Sequence, residues 1–151
     1  MKVFIDTSAF VALLVDKETD HKKVAEKYHE YRQKRAILFT SDYILDELFT
    51  RLLYFRHIDI KKYIEKLKES ILRGEITVLQ IDEANLEKAL KAFLKFSDHK
   101  ISFTDATSYT LFKDFSLDEV FTLDDDFKKI RVVHPSKSVE LTGLEPVTSS
   151  V

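Results

Sequence analysis

A chain of 151 residues, 44% hydrophobic and 33% charged, carries enough apolar material for one domain with a true core and a well-solvated surface. Its formal charge of -2 provides no global basic field, so polyanion binding has to come from a local patch. The absence of cysteine excludes disulfides, thiol catalysis and thiolate zinc sites. With only Gly74 and Gly143, a Walker phosphate loop, a dinucleotide fingerprint and a Gly-flanked nucleophile elbow are excluded as well.

The chain opens MKVFIDTSAF, a short β-branched and aromatic run, Val3 to Ile5, that ends on a carboxylate. It reads as a buried strand. Asp6 arrives too early for a signal-peptide core, and no apolar run approaches about 18 residues, so neither a leader nor a membrane span is expected and the protein reads as cytoplasmic. Ala9 to Val15 is apolar on every side, which predicts a helix buried all round. Asp20 caps a charged helix over roughly 21–35, with Val24, Tyr28 and Tyr31 on one face.

A second strand is predicted at Ile37 to Phe39. Ser41 or Asp42 then caps a helix with the core stripe Ile44, Leu48, Leu52 and Phe55. Asp59 caps the next helix, with Ile60, Ile64, Leu67 and Ile71 as its stripe and Gly74 as its left-handed C-terminal residue. Ile76 to Leu79 is the third strand. Asp82 caps a helix with Leu86, Leu90 and Phe93 on one side, and a loop at 97–102 leads to a helix over 104–114. Val120 to Leu123 is the fourth strand and Arg131 to Val133 the fifth. Strands separated by helices imply parallel pairing and right-handed crossovers. The expected fold is α/β, a three-layer α/β/α sandwich around a five-stranded parallel sheet. Residues 1–135 form the expected domain and 136–151 a C-terminal tail without regular structure, where Pro135 and Pro146 flank a Thr/Ser-rich run.

Ligands bind open parallel sheets at the carboxyl ends of the strands. Asp6 ends strand one and Asp124, in FTLDDDF, ends strand four. Glu47, in SDYILDELF, lies about 60° from Ile44 around its helix, so it flanks the core stripe, whereas Asp46 points away. Asp105, in SFTDATSY, starts a helix that feeds strand four and so belongs at the same sheet edge, provided the 97–102 loop carries the chain back. Each acid also has an ordinary role open to it. Asp6 can cap the first helix, Glu47 can pair with Arg51, Asp105 can form a capping box with Ser102, and Asp124 can serve a turn or cap. Jointly, four converging carboxylates repel unless a hard divalent cation, Mg²⁺ or Mn²⁺, sits among them. The histidines, at 21, 29, 57, 99 and 134, are scattered and form no metal motif. Such a site suits phosphodiester hydrolysis by a metal-activated water, with Glu47 as a candidate base.

These four motifs, VFIDTSAF, SDYILDELF, SFTDATSY and VFTLDDDF, resemble in content and order those of PIN-domain nucleases, and especially the VapC-type toxins of toxin–antitoxin modules. The likeness spans about residues 1–135. It implies that Asp6, Glu47, Asp105 and Asp124 are the catalytic, metal-binding quartet. Thr7, Ser8 and Thr122 would support them, and Asp126 would be an accessory acid. It further implies Mg²⁺- or Mn²⁺-dependent endoribonuclease activity, a homodimer and inhibition by a small antitoxin protein. Arg51, Arg56 and the Arg32/Lys34/Arg35 cluster are the candidates for contact with the RNA backbone. Two readings stand beside the toxin: a housekeeping RNA-processing nuclease and a catalytically silent binding module of the same fold. An aspartyl-phosphatase reading of Asp6 fails because Ser8 stands where that chemistry needs an acid.

Overall fold

The computed structural model describes residues 1–124, together with 139–140 and 146–147. Strand β1 (Lys2–Ile5) is followed by helices α1 (Thr7–Leu14) and α2 (His21–Gln33), and strand β2 (Ile37–Ser41) by α3 (Asp42–Leu52) and α4 (Ile60–Leu72). Strand β3 (Ile76–Leu79) leads through α5 (Glu83–Lys95) and α6 (Phe103–Asp114) to β4 (Glu119–Phe121). The sheet has the order β3-β2-β1-β4 and every pairing is parallel. Two crossovers step outward from β1 to β2 and β3, and the third returns past β1 to β4. Because parallel crossovers are right-handed, this reversal puts helices on both faces. It also places a topological switch point between β1 and β4, the two strands that Asp6 and Asp124 follow.

Among the described residues the parallel sheet has four strands, one fewer than expected; the expected fifth, Arg131 to Val133, lies outside them. Val139–Glu140 (β5) and Pro146–Val147 (β6) pair antiparallel as a separate two-stranded ribbon. Strand β4 stops at Phe121, two residues short of expectation. Beyond it Thr122 makes only an isolated bridge, and the N–H groups of Leu123 and Asp124 go to the side chains of Ser8 and Thr122.

The main core is continuous from the sheet into α1, α3 and the end of α6. Val3, Phe4 and Ile5 are wholly buried, as are Phe10, Ile44, Leu48, Leu52, Leu111 and Phe121. Ser41, not Asp42, caps α3, its hydroxyl accepting the N–H of Ile44 at 3.1 Å. Gly74 takes φ +75° after α4, where a side chain is strained, and the following N–H of Glu75 closes on the Ser70 carbonyl at 2.9 Å.

Helix α5 departs from expectation. Its buried residues are Asn85, Ala89 and Ala92, whereas Leu90 is 49% exposed. The two alanines allow close approach of α6, and the larger apolar side chains are displaced to the flank. Asn85 is fully engaged: it completes a capping box with Asp82, and its amide donates to Asp114 at 2.9 Å. The α5/α6 pair packs its own small core of Ala92, Phe96, Ile101 and Ala106.

Leu48 is wholly buried midway along α3, at the centre of the main core. Leu48→Ala should lower the unfolding free energy by about 3 kcal/mol. Urea denaturation should show this as a fall in midpoint with an unchanged slope.

Candidate active site

Asp6 occupies the N-cap position of α1, where its side chain takes the adjacent Thr7 N–H but forms no regular cap on the N–H groups further along. The carboxylate is buried and takes the hydroxyl proton of Thr122 on Oδ2 at 2.8 Å. Thr122 in turn accepts the backbone N–H of Asp124 at 3.0 Å. The Ser8 hydroxyl lies 3.1 Å from Thr122 Oγ1 and accepts the N–H of Leu123 at 2.9 Å. With the single Thr122 proton committed to Asp6, the remaining hydrogen bond runs from Ser8 to Thr122. A directed chain, Ser8 to Thr122 to Asp6, therefore ties the end of β1 to the end of β4.

Burial pushes the Asp6 carboxyl up to about 6, with the hydrogen bonds from Thr122 and from the Thr7 backbone opposing the rise. The negative charges of Glu47 and Asp124 add to it. Glu47 and Asp124 are thus brought within electrostatic reach of Asp6, as the sequence predicts. Glu47 also makes the ordinary contact open to it, a 3.3 Å ion pair with Arg51 at i+4. Both partners are partly exposed, so this pair adds little stability.

Asp105 is buried at the start of α6, and its carboxylate accepts the N–H of Ser102 at 3.2 Å while Ser102 returns the cap. The capping box is therefore formed. Phe103, beside it, meets the Tyr43 ring at 6.0 Å, and Tyr43 begins α3 at the carboxyl edge of the sheet. The 97–102 segment does carry the chain back to that edge. Arg56 is exposed in the turn after α3, and Asp126 lies outside the described residues. Arg32 pairs with Glu75 and Lys34 with Glu30, which engages two members of that basic cluster on the helix surface.

Sequence reading missed Thr40 and Asp42. The buried Thr40 hydroxyl donates to the Ile5 carbonyl at 3.0 Å, and Asp42 accepts the N–H of Ile81 at 3.2 Å. Both brace the carboxyl edge, and the run Thr40-Ser41-Asp42 at a strand end was their signal.

The donor set is carboxylate and hydroxyl oxygen alone, the ligand chemistry of Mg²⁺ and Mn²⁺. Thr7 Oγ1 is buried next in sequence to Asp6 with no hydrogen-bond partner among the described residues. A buried orphan oxygen beside a raised carboxyl fits a cation with its water shell. No group of three acidic or imidazole side chains closes into a metal cage among the described residues.

A four-stranded parallel sheet with helices on both faces and acids at its switch point defines an α/β domain. The PIN domain family model matches residues 3–133, and the chain belongs to that family. Among solved structures it is similar to VapC20 of Mycobacterium tuberculosis, a sarcin–ricin loop cleaving toxin, at TM-score 0.71 and 22% identity over 85% of this chain and 94% of that one. VapBC2 of Rickettsia felis, bound to a promoter DNA fragment, gives 0.69 and 13% over 94% and 99%. VapBC-5 of M. tuberculosis, of a toxin–antitoxin family, gives 0.57 and 19% over 95% and 98%. No curated protein sequence matches the chain. Among the described residues no helix is long and apolar enough to cross a membrane.

The raised Asp6 carboxyl has a consequence for stability. Between about pH 4 and pH 6 the folded chain holds a proton that the unfolded chain has released. Stability therefore falls as pH rises through that window, by roughly 3 kcal/mol when complete. Asp6→Asn keeps the shape and lacks the charge. In chelator, its unfolding free energy relative to the unsubstituted protein should rise by that amount between pH 4 and pH 7. A pH-independent difference in denaturation curves would show that Asp6 does not carry the shift.

Proposed function

We propose that this protein is a Mg²⁺- or Mn²⁺-dependent endoribonuclease, the toxin of a type II toxin–antitoxin pair. The observation that carries this is the buried Asp6 carboxylate, pushed up to about 6 at the switch-point crevice of a PIN-family chain. Strained acids of this kind concentrate where function requires them. Asp6, Glu47, Asp105 and Asp124 are the acids assigned to the cation. When bound, it supplies Lewis-acid stabilisation of phosphate charge and an acidified water at the scissile bond.

The chain's own groups have separate duties. Thr122 aims the Asp6 carboxylate through its hydroxyl proton, and Ser8 keeps that proton so directed. At neutral pH Asp6 remains mainly ionised, because its pKa of about 6 lies below that range. Glu47 is more exposed than the buried Asp6 and Asp105, which suits it to take a proton from the attacking water. Thr7 adds an oxygen next to Asp6, and Asp126 is the accessory acid. Arg51 and Arg56 are assigned to the RNA backbone.

Protein partners are supported by exposed apolar side chains. Leu53, Tyr54 and Leu72 stand out on α4 and the end of α3, next to an apolar groove of about 240 Å³ lined by Phe49, Ile64 and Ile71. We assign these surfaces to a homodimer and a small antitoxin, in keeping with the VapBC proteins of similar fold. No membrane attachment is proposed, and the site of action is the cytoplasm.

The test is cleavage of end-labelled RNA. Mg²⁺ or Mn²⁺ should support it, chelator should abolish it, and Asp6→Asn should lose at least about 100-fold. The cation should also raise the melting temperature of the unsubstituted protein, with about 2.7 kcal/mol of stabilisation at a hundredfold excess over its Kd. Full activity in purified Asp6→Asn protein would overturn the assignment.

A further inference from the structure

We propose that the groove between α5 and α6 is a docking track for the phosphate backbone of an RNA strand, separate from the carboxylate crevice. This deepens the nuclease reading and rests on it. The crevice itself has a binding problem. Asp6, Glu47 and Asp124 repel phosphate, and Arg51, on the same helix as Glu47, is occupied by it at 3.3 Å. Arg51 and Arg56 are a small counterweight to these acids, so much of the backbone grip falls to a neighbouring surface.

The α5/α6 groove has the charge for it. A cavity of about 230 Å³ there is lined by Lys88, Lys91, Lys95 and Lys113, with Asp114 as the single acid. Asp114 is already engaged by Lys88 at 3.1 Å and by the Asn85 amide at 2.9 Å. With Glu87, 3.8 Å from Lys91, counted as well, four lysines face two acids, a net local excess of two positive charges on a chain whose formal charge is -2. Lys88, Lys91 and Lys95 follow at i, i+3 and i+7, so they line one side of α5 over roughly 10 Å. That row matches a polymer with charges repeating every 3.4 Å or more, not a single phosphate.

Two of the ammonium groups are also held in place. Lys113 sits 5.4 Å from the centre of the Tyr109 ring and Lys95 sits 5.8 Å from that of Phe96. A side chain already docked loses less freedom on binding. The track is connected to the crevice, because α6 begins at the carboxyl edge with Asp105 and reaches Lys113 about 12 Å further along its axis.

The test compares the native protein with Lys91→Gln/Lys95→Gln/Lys113→Gln and with the same three positions changed to Arg. These lysines are exposed, so all three proteins should fold. Anisotropy of a labelled single-stranded RNA of about 20 nucleotides, in chelator and between about 50 and 200 mM salt, gives the salt slope of binding. The Gln variant should lose about 2 from that slope, near 0.7 per phosphate contact, and its KM for long RNA should rise about tenfold. Its kcat on a dinucleotide should stay unchanged, and the Arg variant should behave as native. An unchanged slope and KM in a Gln variant of an active nuclease would overturn the track alone. So would tighter, lysine-dependent binding of a Glu-rich peptide than of RNA. A native protein that neither binds nor cleaves RNA removes the nuclease reading and the track together.

Discussion

Everything around the crevice follows from holding one ionised carboxylate, Asp6, in a place where water does not reach it. Desolvation is the largest influence on Asp6, and the two nearby charges that act on it are both negative. No lysine or arginine pairs with it among the described residues. Its charged form survives near neutrality because donors are aimed at it: the Thr122 hydroxyl and the Thr7 backbone N–H. Holding those donors in place sets the surrounding structure. Thr122 must follow directly on β4, Ser8 must sit on the first turn of α1 to receive Leu123, and Asp124 is drawn in through its own backbone. A stability cost at the centre of the sheet is thus a geometric device at its edge.

The elements were legible wherever local chemistry and burial pointed the same way. Asp59, Asp82 and Ser102 cap the helices their positions suggest, and Gly74 takes the left-handed turn that only glycine adopts without strain. Legibility failed where tertiary contact overrode pattern. In α5 the leucines suggest the core, yet Ala89 and Ala92 are buried because a helix partner approaches closest over small side chains. Strand β4 reads as running to Leu123, but the N–H groups of Leu123 and Asp124 go to the side chains of Ser8 and Thr122. Neither partner preference is visible in one strand of sequence.

The candidate site was half legible for a related reason. Spacing and strand ends picked out Asp6, Glu47, Asp105 and Asp124, because carboxylates at a sheet edge are unusual enough to notice. Hydroxyls are not. Thr40 is wholly buried and braces the Ile5 carbonyl just before Asp6, yet a threonine at a strand end is ordinary in sequence. The ordinary contacts do not displace these acids from the sheet edge. Glu47 pairs with Arg51 while its charge bears on Asp6, and Asp105 caps α6 while lying at the carboxyl edge. A capping box therefore does not argue against the role proposed for Asp105; it fixes where its carboxylate lies.

Charge is the final constraint. A near-neutral chain that gathers acids at one sheet edge leaves its cations in excess elsewhere, and the α5/α6 groove holds four lysines against Asp114 and the adjoining Glu87. Such a separation creates opposing fields on neighbouring surfaces. A polyanion approaching the acid edge is repelled unless a cation neutralises it, whereas the lysine groove attracts the same polyanion without help. On the proposed nuclease reading, attraction and chemistry are divided between two places. Steering would weaken with salt, since the lysines are exposed, while the buried Asp6 is screened far less. On the proposed reading, that division lets Glu47 and Asp124 stay close enough to add to the rise at Asp6 while a polyanion is held on the lysine side.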